Sequence, residues 1–151
     1  MILAVQREGS RVHARALRPL ALSPAQAEVL TVLADLGPMS LIELGGNLVC
    51  ETGSPSRLVA GLADRGYLAR GANPGDARRV VLSLTEAGEQ IAQEVAQLEV
   101  ALEASVAAAL TPADVDRLLG KLWLLVESRP VGRALVRRIV GRTPQDLRNR
   151  M

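Results

Sequence analysis

Two groups of side chains in this 151-residue chain have the types and spacing to meet an anion. The first is Ser54, Pro55, Ser56 and Arg57, at the start of a short helical stretch. The second is Arg70, Asn73, Asp76, Arg78 and Arg79, strung along two strand-like runs and the turn between them. Hydroxyl and guanidinium groups at a helix start can hydrogen-bond base edges and phosphates, and arginines at a hairpin tip are drawn to the negative potential of a minor groove. This is the chemistry of recognition, not of bond breaking. No Ser/His/Asp set, glycine-rich phosphate loop or paired catalytic carboxylates stand in the sequence: GANPG is a turn, and GLADRG lies on a helix. His13 is the sole histidine, with no Cys, Asp or Glu pair beside it to complete a metal site, so neither a metal nor another cofactor is expected.

The elements that must position these residues follow from hydrophobic periodicity and capping signals. Thr52 reads as the cap of a helix over Gly53–Arg65, with Pro55 in its first turn. Leu58, Val59 and Leu62 form its apolar stripe, leaving Ser54, Ser56, Arg57, Ala60 and Gly61 outward. Strands are predicted at Tyr67–Arg70 and Arg79–Leu84, around a loop Gly71–Asp76. Upstream, Ser23 caps a helix that starts at Pro24 and stops at Gly37-Pro38. Ser40 and Glu43 have the spacing of a capping box that opens a short helix through about Leu48. Two short helices joined by a tight turn, the second outwardly small and polar, form a helix-turn-helix.

The flanks read as helices. Residues 2–18 are helical from about residue 11, because Gly9 weakens the start. Thr85 caps a long helix whose Ile91, Val95, Leu98, Leu102 and Val106 recur at helical spacing over about 25 residues, a stripe suited to a partner helix. Thr111-Pro112 opens another helix. Beyond Pro130 a basic amphipathic helix carries Val131, Leu135, Val136 and Ile139 on its apolar side, as a docked dimerisation helix would. The expected fold is mainly α with a small β-hairpin wing: a winged helix-turn-helix with N- and C-terminal dimerisation helices. The expected organisation is an N-terminal dimerisation helix at 1–22, a DNA-binding lobe at 23–85, and the long helix with C-terminal dimerisation helices at 86–151.

Charge and composition narrow the partner. The net charge is +2, but it is blocked: +3 over residues 1–22, +3 over 53–85 and +6 over 129–151, separated by −4 over 23–52 and −6 over 86–128. Such a chain can bind an anion on one face without being adhesive everywhere. Lys121 is the only lysine, so nearly every cation is a guanidinium suited to forked contacts with phosphate or guanine. Trp123 and Tyr67 are the only aromatic residues, which argues against a stacking platform for single strands. A lone cysteine, Cys50, excludes an intramolecular disulfide and points to a reducing compartment. With no long apolar run, a cytoplasmic protein without a membrane partner is expected.

Three strings in register, LSPAQAEVL, SRLVAGLADRGYLAR and DARRVVLSLTEAG, resemble the MarR family of dimeric winged-helix transcription regulators over about residues 20–128. The resemblance implies that Ser54, Pro55, Ser56 and Arg57 face the major groove. It further implies that Arg78 enters the minor groove, with Asp76 orienting it. Arg70, Arg79 and Asn73 are candidates for phosphate contacts. It also implies a homodimer on a double-stranded DNA operator, acting as a repressor. Many members release DNA when a small, often aromatic or phenolic, effector binds between the dimer helices and the DNA-binding lobe; His13 and Trp123 are the candidates here to line such a pocket. Pro55 departs from the family, standing where a β-branched residue is common. Two other readings stay open: a winged-helix module whose basic wing meets an acidic protein, and a redox-sensing regulator acting through Cys50.

Overall fold

The computed structural model of the chain describes residues 1–49, 54–73, 76–108 and 110–140, with side chains at all of these except 73, 76–79, 106, 107, 139 and 140. Its centre is α2 (Pro24–Leu36), where Ala25, Ala27, Val29, Leu30, Val32 and Leu33 are all buried. A helix apolar around most of its circumference belongs in the middle of a fold. Its start is fixed by a complete capping box: the Gln26 N–H donates to Ser23 Oγ at 3.2 Å and the Ser23 N–H donates to Gln26 Oε1 at 3.0 Å. Gly37, at φ +78°, ends it in a conformation open mainly to glycine.

Every other element leans on α2 or on its neighbours. In front of it, α1 (Ile2–Ala16) leads through a 3₁₀ turn at Arg18–Leu20. This helix begins well before the predicted residue 11. Gly9 is exposed and packs against nothing, so its helix cost of about 1 kcal/mol falls among residues that otherwise favour helix, with Arg11 paired to Glu8 at 3.6 Å. Behind α2 comes α3 (Leu41–Asn47), opened by the predicted Ser40–Glu43 capping box, and then α4 (Pro55–Asp64). The N-cap of α4 is Ser54, two positions later than the expected Thr52, which lies outside the described residues.

The hairpin is longer than predicted. β1 (Leu68–Asn73) pairs antiparallel with β2 (Asp76–Leu84), from Leu68 opposite Leu84 to Ala72 opposite Val80. Asn73 then pairs with Asp76, so residues 77–79 form a bulge on the second strand. Of the loop expected over Gly71–Asp76, Gly71, Ala72, Asn73 and Asp76 are paired, with an irregularity at Ala72/Asn73, while Pro74 and Gly75 lie outside the described residues. The hairpin base is tied back to the loop before α3 by a two-way backbone pair: Met39 N–H to Leu82 O at 3.1 Å, and Leu82 N–H to Met39 O at 2.8 Å.

The long helix α5 (Glu86–Ala107) packs along α2 through Ile91, Ala92 and Val95. Thr85 joins it to the wing: its hydroxyl donates to Gly66 O at 2.6 Å and accepts the Gly88 N–H at 3.0 Å, while its own N–H donates to Tyr67 O at 3.0 Å. Gly88 sits so close that a Cβ there would lie 2.0 Å from Tyr67 O. The helix start therefore rests directly on the backbone below the wing. α6 (Pro112–Val126), capped by Thr111 as predicted, buries no residue, and α7 (Pro130–Val140) turns back to pack on α3 of the same chain. Among the described residues no helix is long and apolar enough to cross a membrane.

Candidate nucleic-acid interface

Two hydrophobic anchors hold α4 to the body. Val59 and Leu62 are fully buried, and Leu58 and Ala63 pack at the edge of the same core. Opposite them, Ser54, Ser56 and Arg57 are exposed at the N-terminal end. Ser54 makes no side-chain capping bond, so its hydroxyl is not committed within the helix. Among the described residues Arg57 has no ion-pair partner. Helix N-termini carry partial positive charge and unsatisfied N–H groups, so this end is suited to phosphate. Pro55 is half-buried with its Cγ 3.5 Å from where a Gly45 Cβ would stand, so it packs towards α3 while its neighbours face outward. Gly61 is not on the outer side as predicted: it faces α2, where a Cβ would lie 3.4 Å from Gln26 Nε2, and Ala60 is half-buried. The outward surface of α4 is therefore confined to its first turn and Asp64.

On the wing, Arg70 is exposed on β1 opposite the buried Leu82. Asn73, Asp76, Arg78 and Arg79 are placed on the hairpin by their backbone, with Arg78 and Arg79 in the bulge; their side chains lie outside the described ones. Cys50 also lies outside the described residues.

Arg65, counted among the basic residues of this segment, is committed internally. Its Nη1 donates to Ala21 O at 2.7 Å, its Nη2 donates to Leu20 O at 2.9 Å, and its guanidinium lies 4.9 Å from the centre of the Tyr67 ring. It closes the C-terminal end of α4 onto the 3₁₀ turn. An arginine at a helix end, two residues before the sole tyrosine, was the available sequence signal for this.

An open cleft of about 420 Å³ lies between α2, the base of β2 and α5, lined by Leu33, Ala34, Ser83, Leu84, Ala92 and Gln93 among others. Neither His13 nor Trp123 lines it. His13 stands on α1 with its Nε2 buried and, among the described residues, without a hydrogen-bond partner, and Trp123 is half-buried on α6.

A helix-turn-helix carrying an anchored hairpin, framed by long terminal helices, defines a winged-helix protein. The model of the MarR family matches residues 22–80. The multiple antibiotic resistance protein MarR of Escherichia coli is 30% identical over 98 residues, covering 65% of this chain and 68% of that protein. The chain belongs to the MarR family, whose members are transcription regulators rather than enzymes. An HTH-type transcriptional regulator of Bacillus subtilis, YcgE, is 40% identical over 70 residues, 46% of either chain, so the match spans under half of that relative. Among solved structures, a mutant of E. coli MarR complexed with operator DNA superposes with a TM-score of 0.74 at 28% identity, covering 83% of this chain and 90% of that one. Bordetella bronchiseptica BpsR, whose DNA binding is regulated by 6-hydroxynicotinic acid, shares the fold with a TM-score of 0.75 at 21% identity over 84% of this chain and 91% of that one.

Proposed function

We propose that this protein is a sequence-specific double-stranded DNA-binding regulator, a ligand-responsive repressor that acts as a homodimer on a pseudo-palindromic operator. The observation that carries the reading is the first turn of α4: Ser54, Ser56 and Arg57 are exposed together on a helix whose other side is locked into the core. That turn enters the major groove, and the wing, with Arg70, Asn73, Asp76, Arg78 and Arg79, flanks it.

Dimerisation is supported by apolar surface left uncovered. α1 exposes Ile2, Leu3 and Val5, and α6 exposes Leu118, Leu119, Leu122, Leu124 and Leu125. Exposed apolar side chains clustered along a helix suit an interaction site, and a second copy would place two recognition helices about 34 Å apart, one turn of DNA. Effector response is supported by the cleft where α2, the wing base and α5 meet, since a ligand there touches both the reading head and the long helix.

The test is selection of bound duplexes from a random pool, followed by binding measurements on the winning sequence. A palindromic winner held well above random DNA is the expected result. Absence of any preference, with affinity for an acidic protein instead, would replace this reading by that of a protein-interaction module.

A further inference from the structure

The C-terminal helix α7 makes polar contacts far from its own neighbours in sequence, to the end of α3 and to Glu28 of α2. Arg137 donates from Nε to Asn47 Oδ1 at 2.5 Å and from Nη2 to the Gly46 carbonyl. The side-chain amide of Asn47 in turn donates to Glu43 O at 2.9 Å. Arg138 donates from Nη1 to Glu28 Oε1 at 2.9 Å, with the two side chains only 20% and 9% exposed. The same Glu28 oxygen accepts the Val49 N–H at 2.7 Å. One buried carboxylate thus joins α2, the chain leaving α3, and α7.

These contacts fall where α3 is weakest. A helix of seven residues ending Gly45-Gly46-Asn47 is too short and too glycine-rich to hold its own C-terminus. A guanidinium at its last carbonyls satisfies an orphan acceptor and complements the negative end of the helix. The first turn of α4 rests on this same end, through Pro55 against Gly45. Pro55 thereby joins the end of α3 to the turn that carries Ser54, Ser56 and Arg57.

We propose that α7 is an intrachain clasp in which Arg137 and Arg138 are positioning residues for DNA recognition, fixing the end of α3 and, through Glu28, Val49, without touching DNA. The proposal rests on the DNA-binding reading above. It differs from direct phosphate contact in a measurable way: positioning affects discrimination between sequences, whereas a phosphate contact affects all DNA alike.

The experiment compares full-length protein with Arg137→Gln, Arg138→Gln, the double variant and Arg138→Lys. Affinity is measured for the duplex selected by the wild type and for a random duplex, and amide exchange at residues 44–49 is followed in the DNA-free protein. In the double variant the ratio of the two affinities is expected to fall about tenfold, the scale of one mismatched base pair. Random-duplex affinity is expected to hold, with faster exchange at Val49 and α5 amides unchanged. Arg138→Lys, which keeps a cation for Glu28, is expected to restore most of the ratio. An unchanged ratio overturns the clasp whether or not exchange is altered, and an equal loss on both duplexes overturns it in favour of phosphate contact. A wild type with no preference for any duplex overturns the DNA reading itself, and the positioning role with it.

Discussion

Arg57 and Arg65 stand at opposite ends of α4 and carry the same charge, yet their surroundings differ. Arg57 is exposed and without an ion-pair partner among the described residues, while Arg65 is bonded to two carbonyls of the 3₁₀ turn and lies over Tyr67. Arg57→Ala is expected to weaken operator binding by about 1–3 kcal/mol and relax sequence preference while leaving the denaturation midpoint in place. Arg65→Ala is expected to lower folding stability by about 1–2 kcal/mol, because an exposed and a part-buried carbonyl lose a charged donor. Urea denaturation alongside anisotropy titration distinguishes the two. Charge counting along the sequence cannot make this separation, since the carbonyls that hold Arg65 come from residues remote in the chain. Gly88 is similar: its string LTEAG is visible, but its need for glycine is visible only once Tyr67 O is in place. Gly88→Ala is expected to destabilise by about 2–3 kcal/mol, as overpacking against fixed backbone does.

At the scale of elements, capping chemistry was the most legible part. Ser23, Ser40 and Thr111 start helices where their own side chains and the following residues predict, because a cap is decided within four positions. The wing was less legible: its bulge depends on cross-strand register, which no local pattern encodes, and the loop expected at Gly71–Asp76 proved largely paired. The outer surface of α4 was over-read, since Gly61 looks outward on a helical projection but meets Gln26 of α2. Anchoring of α4 rests on Val59 and Leu62. Leu62→Ala is expected to cost about 2–5 kcal/mol of stability, and at temperatures where the variant stays folded its loss of DNA affinity should be smaller than that of Arg57→Ala. Comparable loss of affinity would mean that α4 is positioned by its packing alone.

For the whole molecule, the proposed pairing of two copies needs a surface that the single chain leaves uncovered. The stripe on α5 that suggested a partner helix is partly used within the chain, since Ile91 and Val95 pack on α2. α7 also meets its own α3, with Ala134 buried and Val136 still exposed. Among the described residues, most of the exposed large apolar side chains therefore lie on α6 and α1. Replacing Leu118 and Leu122 by Glu is expected to give a monomer in light scattering, with a circular dichroism spectrum like that of the wild type. Monomers should bind a half-site weakly and lose the preference for a palindrome. An unchanged dimer would move the interface elsewhere.

In the function proposed, this winged helix reads duplex DNA through the first turn of α4 and the wing arginines. That reading is tested most directly by a salt titration of wild type and Arg78→Ala on the selected duplex. Wild-type affinity is expected to fall about a thousandfold or more between about 50 and about 200 mM salt. Arg78→Ala is expected to bind about 1–3 kcal/mol more weakly, with the slope of log affinity against log salt reduced by about one. Wild-type affinity and slope in the variant would contradict the wing assignment, and a flat salt dependence in the wild type would contradict DNA binding itself.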